Sequence, residues 1–114
     1  MQMHEISLKN KLKRNLGIDG VMMKKDSANS PNFTLSFPVP ENDLTGRSKI
    51  EKEIENFYSD EGFEVRDTEG GQIARDKENN EAYLIGIIRN NQHGQREYNI
   101  RIAKTDKPEL FYNN

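Results

Sequence analysis

The chain has 114 residues, 32% of them hydrophobic and 32% charged, with a formal net charge of −2 and no cysteine or tryptophan. One domain is the expectation at this length. Counting Gly but not Tyr, only 41 residues are apolar, about 36% against the usual 45–50%. Such a chain closes one thin two-layer core, which argues against a deep enzymatic cavity. The lack of cysteine excludes disulfides, thiolate metal sites and a cysteine nucleophile.

No apolar run approaches the ~18 residues of a transmembrane helix, and the first 25 residues contain no apolar signal-peptide core. A cytoplasmic protein is therefore expected. Ten Ile, seven Leu and nine aromatic residues fall in periodic clusters, which argues against disorder. Charge is uneven along the chain: +4 over residues 1–25, −8 over 26–82 and +2 over 83–114.

His4–Leu16 carries Leu8, Leu12 and Leu16 at four-residue spacing with Lys9, Lys11, Lys13 and Arg14 between them, an amphipathic helix that Gly17 closes. Asp19-Gly20 marks a turn, and Val21–Met23 is compatible with a short extended piece, three residues being too few to decide it. Asp26–Asn32 reads as a loop. Phe33–Val39 alternates apolar and polar residues, a strand with one buried face. Pro38 cannot donate to a ladder, so this strand is expected to lie at an edge or to end there.

After a connector at Pro40–Thr45, Ile50, Ile54, Phe57 and Tyr58 form the apolar stripe of a second helix that Gly62 stops. Ser48-x-x-Glu51 has the form of a capping box, with Thr45 an equally good cap. Phe63–Asp67 and Gln72–Asp76 read as short strands around the turn Glu69-Gly70-Gly71, and Lys77–Asn80 as another turn. Ala82–Arg89 is apolar on both faces, which marks a central strand. Tyr98–Lys104 alternates, and the polar segment Asn90–Gln95 joins the two as a hairpin.

The expected fold is α+β: a short N-terminal helix, then strand–helix–four-stranded antiparallel meander in two layers. Residues 1–25 form the basic helix and turn, packed on or appended to a domain over 26–105, with a tail over 106–114 in which Leu110, Phe111 and Tyr112 dock back or stay loose. From Phe33 onward this order is similar to the cystatin-like layout. The inhibitory Q-x-V-x-G loop of that family has no counterpart at Gly71-Gln72-Ile73-Ala74-Arg75, so protease inhibition is not implied. With the first helix included, the order also looks like that of the small phage-type uracil-DNA glycosylase inhibitors, which imitate DNA with an acidic edge. Their acidic E-S-I segment is missing from Asn32-Phe33-Thr34-Leu35-Ser36.

Candidate chemistry is sparse. Glu51, Glu53 and Glu55 flank an exposed helical face interspersed with Lys49 and Lys52, where a solvated surface is the ordinary reading. His4 sits near a terminus expected to fray and His93 in a turn, neither at a metal-ligand spacing. No phosphate-cradling or nucleophile-elbow motif occurs, so neither enzyme activity nor a cofactor or metal is expected.

Two charged surfaces remain. Asp60, Glu61, Glu64, Asp67, Glu69, Asp76, Glu78 and Glu81 surround the meander, an array suited to a basic protein partner or to imitating DNA phosphates. Their ordinary alternative is solubility and edge protection. Lys9, Lys11, Lys13 and Arg14, with Lys24 and Lys25, form the alternative, a nucleic-acid surface on the first helix. The pI near 5.7 and the absence of interleaved aromatic residues count against it. Finally, an edge at Phe33–Val39 or Gln72–Asp76 would offer strand addition for dimerisation.

Overall fold

A computed structural model describes residues 4–39, 46–92 and 94–108. The chain is α+β, with helices α1 (His4–Leu16) and α2 (Arg47–Asp60) on one face of a six-stranded antiparallel sheet. The strands are β1 (Met22–Lys25), β2 (Phe33–Pro38), β3 (Glu64–Thr68), β4 (Gly71–Asp76), β5 (Glu81–Gln92) and β6 (Gln95–Lys104), in the order β1-β2-β6-β5-β4-β3. The meander β3–β6 runs from one edge inward, so its last strand closes beside β2.

Alternation decides the layers. Registers Phe33↔Ile102↔Ile85 and Leu35↔Ile100↔Ile87 place three strands' apolar residues side by side on one face. Phe37, Tyr98 and Tyr83 lie on the same face, and all nine side chains are buried. Leu8 and Leu12 of α1 and Ile50, Ile54, Phe57 and Tyr58 of α2 close this face into one core. Full burial of each leucine contributes about 1.5–3 kcal/mol before entropic costs, enough to hold a short helix that would be marginal alone. Gln72, buried on β4, donates from Nε2 to the Glu51 carbonyl at 3.3 Å and ties α2 to the sheet.

The helix stops behave as the sequence implies. Gly17 has φ +64° and Ile18 N–H reaches back to the Lys13 carbonyl. Gly62 has φ +90°, and Gly62 and Phe63 N–H groups satisfy the Ser59 and Tyr58 carbonyls.

Several expectations are corrected. The sheet has six strands rather than five, because Met22–Lys25 pairs along β2 from Met22↔Ser36 to Lys25↔Phe33. Consequently β2 is internal; it ends at Pro38, but it is not an edge. Strand β4 is internal too, between β3 and β5, so the strand-addition edges expected at Phe33–Val39 and Gln72–Asp76 are already paired; among the described residues the open edges are β1 and β3. The capping box is absent: Ser48 and Glu51 both lie inside α2, whose N-cap is Gly46 without a side-chain cap bond. The alternative cap, Thr45, lies outside the described residues, as do Leu110, Phe111 and Tyr112 of the tail. The hairpin strands run further than their apolar residues, to the pair Gln92↔Gln95, leaving a two-residue connection instead of Asn90–Gln95. The second face of β5 is not core throughout: Ala82 is buried, Leu84 half-buried and Ile88 58% exposed.

Candidate functional site

The eight carboxylates expected to act together fall into three groups. Glu61 follows α2, Glu64 opens β3, and Asp76 and Glu78 sit where β4 turns toward β5. These four line one open concavity of about 390 Å³, together with Gly62, Arg75, Lys77 and Asn79. Register explains the meeting, since Glu64 lies opposite Arg75 across the β3–β4 ladder. Glu61, Glu64 and Glu78 are exposed; Asp76 is half-buried.

Asp67 and Glu69 lie at the opposite end of β3, exposed around the β3–β4 turn. A residue rises about 3.3 Å along a strand, so the five-residue β3 separates the two groups by roughly its whole length. Asp60 and Glu81 form the third group, bound to other parts of the fold. Asp60 Oδ2 lies 3.3 Å from Lys11 Nζ. Glu81 Oε2 accepts the Tyr83 hydroxyl at 2.9 Å.

Asp76 has a second duty. Its Oδ1 accepts the backbone N–H of Glu78 at 3.1 Å, and its Oδ2 accepts from Asn79 Nδ2 at 2.7 Å. This Asx-type turn fixes the rim of the concavity. Glu64 also accepts from Arg66 Nε at 2.9 Å along its own strand. The concavity thus holds a mixture of fixed and solvent-facing carboxylates next to the open β3 edge.

The alternative basic surface is split by the helix geometry. Glu5, Lys9 and Lys13 follow one flank of α1, where Lys25 Nζ of β1 lies 3.6 Å from Glu5. Lys11 and Asn15 follow the other flank, toward Asp60 and Glu53 of α2. Lys13 and Arg14 are exposed, while Lys9 and Lys11 are half-buried.

A site that sequence reasoning missed lies at the start of α1. His4 was expected near a frayed terminus, yet it is only 4% exposed. Its Nε2 lies 2.5 Å from Tyr58 Oη. Phe57 stacks on it at 5.8 Å, and the rings of Phe33, Tyr58 and Tyr83 meet it edge-on at 5.4, 5.2 and 4.8 Å. Burial pushes the His4 pKa down to about 4, against an opposing pull from Glu5. Burial likewise pushes the Tyr58 hydroxyl well up, with Tyr83 adding to it. The one available signal was that His4 leads the four-residue series Leu8, Leu12, Leu16.

A further concavity of about 450 Å³ is lined by Arg47, Ile87, Ile88, Arg89 and Tyr98. Among the described residues no group of three or more His, Asp or Glu side chains is placed to hold a metal ion. No described helix is long and apolar enough to cross a membrane. Comparison with protein-family models, with curated proteins and with solved structures finds no match.

Proposed function

We propose that this chain is a small binding module, with no reaction of its own, that docks onto a basic patch of another protein through the acidic β3–β4 end. The observation that carries this reading is the convergence of Glu61, Glu64, Asp76 and Glu78 on one concavity beside an open sheet edge. Four carboxylates against the two cations Arg75 and Lys77 leave this rim net negative, and such a surface steers an oppositely charged partner. Inhibitor, immunity and accessory roles all use such a surface. Where the partner's basic patch is itself a nucleic-acid site, these carboxylates take the place of phosphates.

The nucleic-acid reading of α1 has less support, because Lys11 is already held by Asp60 and the four cations face different flanks.

Two measurements test the proposal. Affinity capture from native lysate at 50 and 300 mM salt is expected to retain a basic protein at the lower salt. The triple variant Glu61→Gln/Glu64→Gln/Glu78→Gln should weaken retention at least tenfold, about 1.4 kcal/mol. Capture that is indifferent to the triple variant overturns the reading. A gel shift at 50 mM salt that depends on Lys9, Lys13 and Arg14 would instead favour the basic helix, since phosphate contacts are strongest at low salt.

A further inference from the structure

The start of α1 is held by a buried contact between His4 and Tyr58. His4 belongs to α1, Tyr58 and Phe57 to α2, Phe33 to β2 and Tyr83 to β5, so one imidazole ties its own helix to three other elements. A neutral ring with its proton on Nδ1 accepts the Tyr58 hydroxyl at Nε2. A protonated ring has a donor on Nε2 and can no longer accept, so the buried Tyr58 hydroxyl proton loses its acceptor. The charge itself would sit among four aromatic rings at the positive end of the α1 dipole.

Charged and titratable neighbours offset this only in part: Glu5 and Glu81 favour the charged ring, but burial outweighs them. On α1, Glu5 is drawn toward Lys25, 3.6 Å away. On β5, the Glu81 carboxylate is engaged by the Tyr83 hydroxyl. Among the ring contacts from α2 and β5, Tyr58 and Tyr83 stay neutral, since burial holds both hydroxyl pKa values above the ordinary tyrosine value. The ring contact from β2 is Phe33, which has no charge to offer.

We propose that His4 is an acid-sensitive latch: protonation of its ring takes the acceptor from the buried Tyr58 hydroxyl proton, places a charge inside the aromatic cage and releases α1 from the sheet while the β5–β6 hairpin stays folded. The sign follows from the direction of the shift. The folded-state pKa lies near 4, below the ~6.5 of a released histidine. The latch is therefore fully closed above about pH 6.5 and weakens as pH falls toward 4. Between pH 7 and 4.5 the opening equilibrium of α1 should rise about fiftyfold.

Amide hydrogen exchange on the whole chain at pH 7.0 and 4.5, corrected for intrinsic rates, reads this directly. Wild-type α1 amides should lose about fiftyfold in protection between the two pH values while β5 and β6 amides keep theirs. His4→Phe, which fills the cage, and His4→Gln, which retains an acceptor, should each remove the pH dependence of α1, whatever their baseline stability. An unchanged α1 in wild-type protein overturns the latch. So does loss of α1, β5 and β6 in one step, or a pH response in both variants equal to that of the wild type. The His4 ring signal in NMR should titrate below pH 5; a midpoint near 6.5 would also reject the proposal.

Discussion

Among the described residues, strands β1 and β3 each leave one row of backbone hydrogen-bonding groups without a strand neighbour, but the charges around them are used differently. At the β1 edge the charges tie elements together. Lys25 reaches Glu5 of α1, and Asp26, just past the strand, takes the Arg101 guanidinium of β6 with both oxygens at 2.6 Å. At the β3 edge Glu64 is engaged by Arg66 of the same strand, while Asp67 and Glu69 point outward. Charged residues at both edges discourage unwanted strand pairing. The difference is that Lys25 and Asp26 near β1 are paired with other elements of the fold, whereas Asp67 and Glu69 near β3 face outward. A charge count along the chain cannot separate these cases; the bonding partners can.

The largest expected effect comes from detaching the β3 edge. Gly71 opens β4 with φ +150°, and a Cβ there would run into the carbonyl oxygen of Ile85 on β5. Gly71→Ala must push β4 away from β5 or distort the β3–β4 turn, and overpacking of this kind costs about 1–3 kcal/mol or more. Urea unfolding should register that loss. Amide exchange should localise it to β3 and β4, sparing the β1–β2 pair. A uniform loss of protection across the sheet would mean that the two edges are not separable.

A smaller effect separates structural carboxylates from available ones. Tyr83→Phe removes the hydroxyl that donates to Glu81 and leaves the ring against His4 and Tyr58. The expected loss is about 1 kcal/mol by urea midpoint, with no change in capture of a basic partner. If capture weakens instead, Glu81 belongs to the docking surface and the grouping of carboxylates drawn above is wrong.

What was legible in the sequence follows from the strength of its periodicities. The stripe Ile50, Ile54, Phe57, Tyr58 and the alternations in β2 and β6 each repeat a core contact several times, so they identify their elements unaided. Strand β1 repeats nothing: Met-Met-Lys-Lys shows no alternation and is held by one neighbour. Residues 90–92 pair through backbone groups, which apolar patterning does not report. At the acidic end the residue types were readable but their partners were not. Whether the exposed Asp60 also meets Lys11 depends on where α1 lies against α2. His4 was hidden because a histidine beside a terminus carries no sign of burial except its place in the leucine series.

The smallest effect tests the stitched edge by pH. The hydrogen bond from Arg101 is the main cause that holds the Asp26 carboxyl below the usual carboxylate range, and its own pKa is raised by the same pair. A depressed folded-state pKa contributes stability that is complete above the unfolded value, about 3.9, and is lost as pH falls through the folded value. Asp26→Asn should therefore unfold at lower urea than wild type at pH 6. The gap should shrink once the pH drops below about 4, where Asp26 of the unfolded wild-type chain begins to take up its proton while the folded carboxyl still resists it. Both partners are about two-fifths exposed, so salt should narrow the gap at pH 6 as well. A gap that persists unchanged at pH 2.5 would mean that the Asp26 side chain acts there by shape, not by charge. The β1 edge would then be stitched by the loop conformation, in which Asp26 N–H donates to the Asn32 carbonyl.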